Sequence, residues 1–426
     1  MEPVKIATCR AQPGADGIAA DRAAATLLED LAPDSMSWAR FGERVVFAGE
    51  GEAWSRFAVA AGRAGLAPQE HPGLTDRQRL HVVVQKGRLF QQEHPDVPVL
   101  SDSGRFLLVD MNPQQARDAA SDDVPCYAVR PLDALEPAGA SGRSRIVFDV
   151  RSPATQRAAA RAVDPAVQAL VDRVSRAGFE ADLVRLVGFP TRFSTSVHYA
   201  AACDFVEQRL AALGYATARQ RFEVDGSPTM NIVARRKGTA SAARGTVVVT
   251  AHLDAFNHEG GPASPAPGAD DNASGSAGVL EIARALRDHR GANDLCFVLF
   301  GGEEQGLFGS KRFVASMAAP DRARVRAVPA VLLEGAALSQ AVIEGLATAA
   351  ATYTELAVQT SLNPFNSDHV PFIRAGMPAV LTIEGADSAN DAIHSERDTL
   401  DRVHVDLALE ILRMNTAFVA ESLGDP

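Results

Sequence analysis

Residues 246–254 read TVVVTAHLD: five β-branched residues in a row, then Ala251, then His252, Leu253 and Asp254. A β-branched run of this length predicts a buried strand over Thr246–Ala251. It leaves a histidine and an aspartate at the strand's carboxyl end, where open α/β sheets gather their ligands. The pattern recurs. Leu295–Phe300 (LCFVLF) predicts a strand that runs into Gly301-Gly302-Glu303-Glu304, and Val331–Leu333 predicts one that runs into Glu334. Met230–Arg235 and Ala379–Ile383 are further strands. Helical patterns cover Asp164–Gly178, Tyr199–Gly214, Ala273–His289, Gly309–Met317 and Leu400–Leu423. Strands alternating with helices predict an α/β domain over residues 160–426, with a mixed, mostly parallel sheet flanked by helices.

Upstream the pattern differs. Arg44–Ala48, His81–Val84 and Arg105–Val109 predict strands, and Ala53–Gly65 predicts a helix. The expectation is a separate N-terminal α/β domain over residues 1–135. Small and turn-forming residues at Glu136–Ser144 (EPAGASGRS) predict a linker region over 136–159.

Composition narrows the function. The chain has 426 residues, 46% of them hydrophobic, enough for a sizeable core. No stretch reaches the roughly 18 uninterrupted apolar residues of a membrane helix. The net charge is −11 and there is no dense basic run, which argues against nucleic acid and anionic membrane as partners. Cys9, Cys126, Cys203 and Cys296 are isolated, with no CxxC pair to suggest a cysteine zinc site. The N-terminal residues lack the apolar stretch of a secretory leader, so a cytoplasmic location is the expectation.

The chemistry-bearing residues fall at predicted strand ends. His252 offers an imidazole, and Asp254 a carboxylate to orient its second nitrogen. Asp270, in the stretch GADDNASG before a helix, can bridge two metals with its two oxygens; Asp271 and Asn272 read as helix caps. Glu303 and Glu304 are adjacent acids at the edge of a core and call for a positive partner. One can ligate a metal while its neighbour faces a water. Glu334 is a further ligand candidate, and His394, in IHSERDTL, a second histidine. Asp398 is placed to orient that loop. Asp368 and His369 read as walls or supports of the site, whereas His198, His258, His289 and His404 read as surface or packed residues.

These motifs, with Pro190–Ser196 (PTRFSTS), AHLD, GGEEQGLFGS and SDHVPF, resemble the di-zinc aminopeptidase family of the leucyl aminopeptidase, aminopeptidase Y and glutamate carboxypeptidase type. The resemblance covers about residues 160–426 and implies a zinc-exopeptidase fold with two zinc ions per chain. It implies that Asp270 bridges the zincs, His252 and Glu334 complete one, and Glu304 and His394 the other. Glu303 would be the general base, with Asp254 assisting, and the Asp270–Asp271 peptide would be cis. The family usually carries aspartate where Glu334 stands. The expected activity is hydrolysis of N-terminal peptide bonds in a peptide or aminoacyl substrate, by a metal-activated water. The alternatives are a carboxypeptidase or acyl-amino-acid amidase, an inactive binding protein, and glutaminyl cyclase. The stretch from Glu334 to His394 is too short for the lid domain of related carboxypeptidases.

Overall fold

The computed structural model describes residues 5–10, 36–42, 44–49, 51–63, 69–71, 76–119, 127–135, 137–138, 144–151, 153–241, 244–317, 325–326, 332–364, 367–385 and 390–424. The chain divides into two units. One comprises residues 1–158 with 357–365 and 385–389, the other 159–356, 366–384 and 390–426.

In the first unit, strands Lys5–Arg10 and Met36–Phe41 each pair antiparallel with Arg44–Gly49. The helix Gly51–Arg63 packs Trp54, Phe57 and Ala61 against Ala7, Met36, Val45 and Phe47. A second sheet has strands Val99–Ser103, Phe106–Asp110, Leu80–Gln85 and Tyr127–Pro131, all antiparallel. The expected linker over 136–159 is corrected here: Ser144–Val150 is a strand, parallel to Met36–Phe41, and Pro153–Ala159 is a helix. The run Ile146-Val147-Phe148 supplies the apolar side chains a strand needs, and it outweighs the turn-forming residues before it. Residues 139–143 of that stretch lie outside the described ones. Gln359–Ser361, far along the chain, pairs antiparallel with the end of the same strand.

The second unit is built on a mixed sheet. Ala216–Val224 and Ser227–Arg236 form a hairpin across Asp225-Gly226, both with positive φ as a two-residue turn requires. Ser227–Arg236 pairs antiparallel with Asp294–Phe300. Thr246–His252 is parallel to Asp294–Phe300 and to Val325–Arg326. The parallel pair places His252 opposite Phe300. The loops after these two strands therefore leave the sheet at one level, and this positions the site. The helix Gly275–Ala285 is buried almost throughout; it packs on Thr246–His252 and on helices Arg176–Val187 and Val405–Leu423. Its alanines and glycines permit that approach: a Cβ on Gly278 would press on Leu412.

Two helix expectations change. Asp164–Gly178 is two helices, Pro165–Val171 and Arg176–Val187. Asp164 accepts from the Ala166 amide at 2.7 Å, and Ser175 from the Gly178 amide at 3.2 Å. Each cap starts its own helix. The last helix begins at Val405, where the His404 ring accepts from the Leu407 amide at 3.2 Å; Leu400–Arg402 is a short 3-10 turn. Helix Gln340–Tyr353 was not expected. No described helix is long and apolar enough to cross a membrane.

Candidate metal centre and active site

The loops at the carboxyl ends of Thr246–His252 and Asp294–Phe300 bring acids and imidazoles together. His252 Nε2 lies 3.1 Å from Asp271 Oδ1, and His394 Nε2 lies 3.2 Å from Asp271 Oδ2. One carboxylate thus spans two histidines. His394 Nε2 is also 2.8 Å from Glu304 Oε2, and Glu303 Oε2 is 4.0 Å from His252 Nε2. Single donor atoms of His252, Glu303 and Glu304 fall within 4.8 Å of one another. Glu303 and Glu334 are wholly buried, with Glu304 and both histidines nearly so. Glu334 ends the strand Leu332–Glu334, which pairs with Leu381–Ile383; its Oε1 lies 3.7 Å from His369 Nε2.

The expectation for Asp270 is corrected. It is Asp271 that stands between the histidines, while Asp270 Oδ2 accepts a 2.7 Å hydrogen bond from Asn390. The backbone here is not helical: Asp271 has φ −111° and ψ 89°, and Asn272 φ −141° and ψ 46°. That path turns consecutive side chains in different directions, so the second acid faces the histidines and the first does not. The cis peptide is Asp271–Asn272, one step beyond its expected place. Asn272, read as a helix cap, accepts from the Gly275 amide at 2.9 Å.

Residues 231–419 match the model of peptidase family M28. Leucine aminopeptidase 1 of Arthroderma otae is 26% identical over 288 residues, 60% of this chain and 76% of that one. A probable leucine aminopeptidase of Trichophyton verrucosum is 29% identical over 280 residues, 60% and 75% of the two chains. Residues 231–419 form an M28 peptidase domain. The aminopeptidase of Aneurinibacillus sp. strain AM-1 shares its fold: the TM-score is 0.54 at 16% identity, over 61% of this chain and 97% of that one.

The M28 domain holds its acids from below. Asp254 Oδ1 and Oδ2 accept from the backbone amides of Glu303 and Glu304 at 3.3 and 3.2 Å. The same residue orients His252, whose Nδ1 lies 3.2 Å from the Asp254 carbonyl and 3.6 Å from Oδ1. The carbonyl acceptor at Nδ1, with the Asp254 carboxylate beside it, favours the proton there and leaves the Nε2 lone pair facing Asp271. Asp398 does for the other loop what Asp254 does for the glutamates: Oδ1 and Oδ2 accept from the amides of Asp270 and Asp271 at 3.1 and 3.0 Å. Gly302, with φ 69°, supplies the left-handed turn that aims Glu303.

Sequence reasoning passed over three supports. Arg192, fully buried, donates to the carbonyls of Leu186, Leu253, Pro267 and Gly268 at 2.6–3.1 Å. Burial lowers its pKa to about 10, and Asp254, Asp398, Glu304 and Asp271 oppose that shift. Ser367 Oγ donates to Glu303 Oε1 at 3.1 Å. His258, expected in surface or packed surroundings, stacks on His394 with ring centroids 4.4 Å apart. PTRFSTS and SDHVPF drew attention to the stretches that carry Arg192 and Ser367, but no spacing in the sequence revealed their partners.

The donor set fits a cation. Asp271, Glu303 and Glu304 stand together beside His252 and His394, and buried carboxylates this close repel one another unless a positive charge joins them. Behind them burial, and next the carboxylate of Glu384, push the Asp270 carboxyl up to about 8, and burial also raises Asp398. Imidazole nitrogens aimed at a shared carboxylate, with further carboxylates alongside, make a nitrogen and oxygen donor set suited to zinc.

Proposed function

We propose that this chain is a two-zinc aminopeptidase whose centre is formed by His252, Asp271, Glu304, Glu334 and His394. The observation that carries the reading is the Asp271 carboxylate, one oxygen facing His252 and the other His394 at 3.1 and 3.2 Å. His252 and Glu334 would hold one ion, Glu304 and His394 the other, and Asp271 both. Zinc bound there would polarise the scissile carbonyl and acidify the attacking water.

The remaining chemistry belongs to side chains. Glu303 takes the proton of the attacking water and delivers it to the leaving amine. Its burial keeps it out of bulk solvent, and Ser367 fixes one of its oxygens so that the other faces the centre. Asp254 keeps Glu303 and Glu304 in register with His252 through their amides. A donor set this full, with a buried base beside it, favours an active enzyme over an inactive scaffold.

The test pairs hydrolysis with metal content. Peptides with a free N-terminus should be cleaved from that end, and Nα-acetylated ones should resist. Elemental analysis of protein purified without chelator should approach two zincs per chain and fall in His252→Ala. Cleavage that demands a free C-terminus, or a single zinc unaffected by His252→Ala, would overturn the reading.

A further inference from the structure

The assignment above uses two imidazoles, and the structure brings a third to the same place. His258 lies on the loop that follows the Thr246–His252 strand. Its backbone amide donates to the His394 carbonyl at 2.9 Å. Its ring stacks on that of His394, centroids 4.4 Å apart and planes 21° from parallel, and Phe256 packs against it at 4.6 Å. The loop is tied down. Asn257 accepts from the Gly260 amide at 2.8 Å and donates to the Pro265 carbonyl at 2.8 Å. The Gly261 amide closes the turn onto the Asn257 carbonyl, also at 2.8 Å. The backbone that carries the ring is therefore held in position, while the exposed ring can turn about its own side-chain bonds.

One donor atom from each of His258, Glu304 and His394 falls within 4.8 Å of the others. Zinc ligands sit about 2.0–2.1 Å from the ion, and an imidazole binds along its in-plane lone pair, so the His258 ring must turn out of its stack on His394 to direct a nitrogen at the same ion. His394 and Glu304 are buried, whereas His258 is exposed. The third residue thus lies at the surface, and the first two do not.

We propose that His258 is an additional, exchangeable ligand of the zinc held by Glu304 and His394. The inference rests on the two-zinc reading and adds a residue to it. Neutral imidazole binds zinc well, and the anchored loop brings a second imidazole beside His394. An exposed ligand can leave when substrate enters, which the buried members of the set cannot do without disturbing the core.

The experiment separates ligation from stacking. His258→Phe keeps a flat ring against His394 and removes the nitrogen; His258→Ala removes both. Zinc affinity is read by competition with a chromogenic chelator, and coordination by the visible absorption of the cobalt-substituted protein. In both variants one of the two ions should be released at least about tenfold more readily, with the other unchanged. The cobalt bands should change alike in the two. A His258→Phe protein with the wild-type affinity and cobalt spectrum would show the ring to be a stacking wall, and the proposal would be wrong. Zinc content in otherwise unaltered protein that His252→Ala leaves untouched would instead overturn the two-zinc reading beneath it.

Discussion

Asp398 Oδ2 accepts the backbone amide of Asp271 at 3.0 Å. A residue far along the chain thereby fixes the acid that stands between His252 and His394. The neighbouring amide, that of Asp270, goes to the other oxygen of Asp398, so both acids are anchored while only one faces the histidines. Asp271→Asn should lower zinc content and cut activity by at least about 10²-fold, beyond the range typical of outer residues. Asp270→Asn should keep its zinc and stay within about tenfold of wild type. Elemental analysis and steady-state rates on the two variants decide which acid is shared.

Glu303→Gln should bind zinc normally and lose about 10²–10⁴-fold in kcat, because an amide cannot take up the proton. Zinc content measured beside the rate shows whether the chemistry or the centre was lost.

Ser367→Ala removes the hydroxyl that Glu303 Oε1 accepts. A hydrogen bond to a charged group contributes about 1.5–3 kcal/mol, so a fall of about 10- to 150-fold in kcat is expected, with KM and zinc content near wild type. Recovery of the rate in Ser367→Thr would identify the hydroxyl as the active feature.

Arg192→Met should destabilise the protein by about 3 kcal/mol or more, since buried carbonyls left without donors cost about 1–3 kcal/mol each. These carbonyls come from three separate stretches of chain, at Leu186, Leu253 and Pro267–Gly268. Denaturant unfolding of metal-free protein measures the effect without a contribution from zinc.

Chelation should lower the midpoint of thermal unfolding, and zinc should restore it. A ligand at a thousand times its Kd stabilises the folded state by about 4.1 kcal/mol. Calorimetry across a zinc titration would show the midpoint climbing with free metal.

Much of the second unit was legible in the sequence. The run at 246–251 is β-branched and the run at 295–300 wholly apolar with two phenylalanines, enough for strands in most contexts, and their ends carry His252, Glu303 and Glu304. The choice between Asp270 and Asp271 was not legible. It depends on the backbone angles of Asp271 and Asn272, and adjacent acids look alike until the path of the chain is known. Glu334 offered a carboxylate at a strand end, and the structure sets it beside His369. His258 reads as a surface or packed residue and is exposed, but its stack on His394, far away in the chain, has no signal in the sequence. The break at Ser175 hid inside a continuous amphipathic pattern, where a single capping serine decides.

The supports of the centre make its parts move together. Asp254 and Asp398 hold the glutamate and aspartate loops by their backbone amides, and Arg192 gathers the surrounding carbonyls. Each of these side chains grips backbone, so losing one would shift a whole loop and every group on it. Variation beneath the centre would therefore be felt at several of its acids at once, whereas variation at a single acid would stay local.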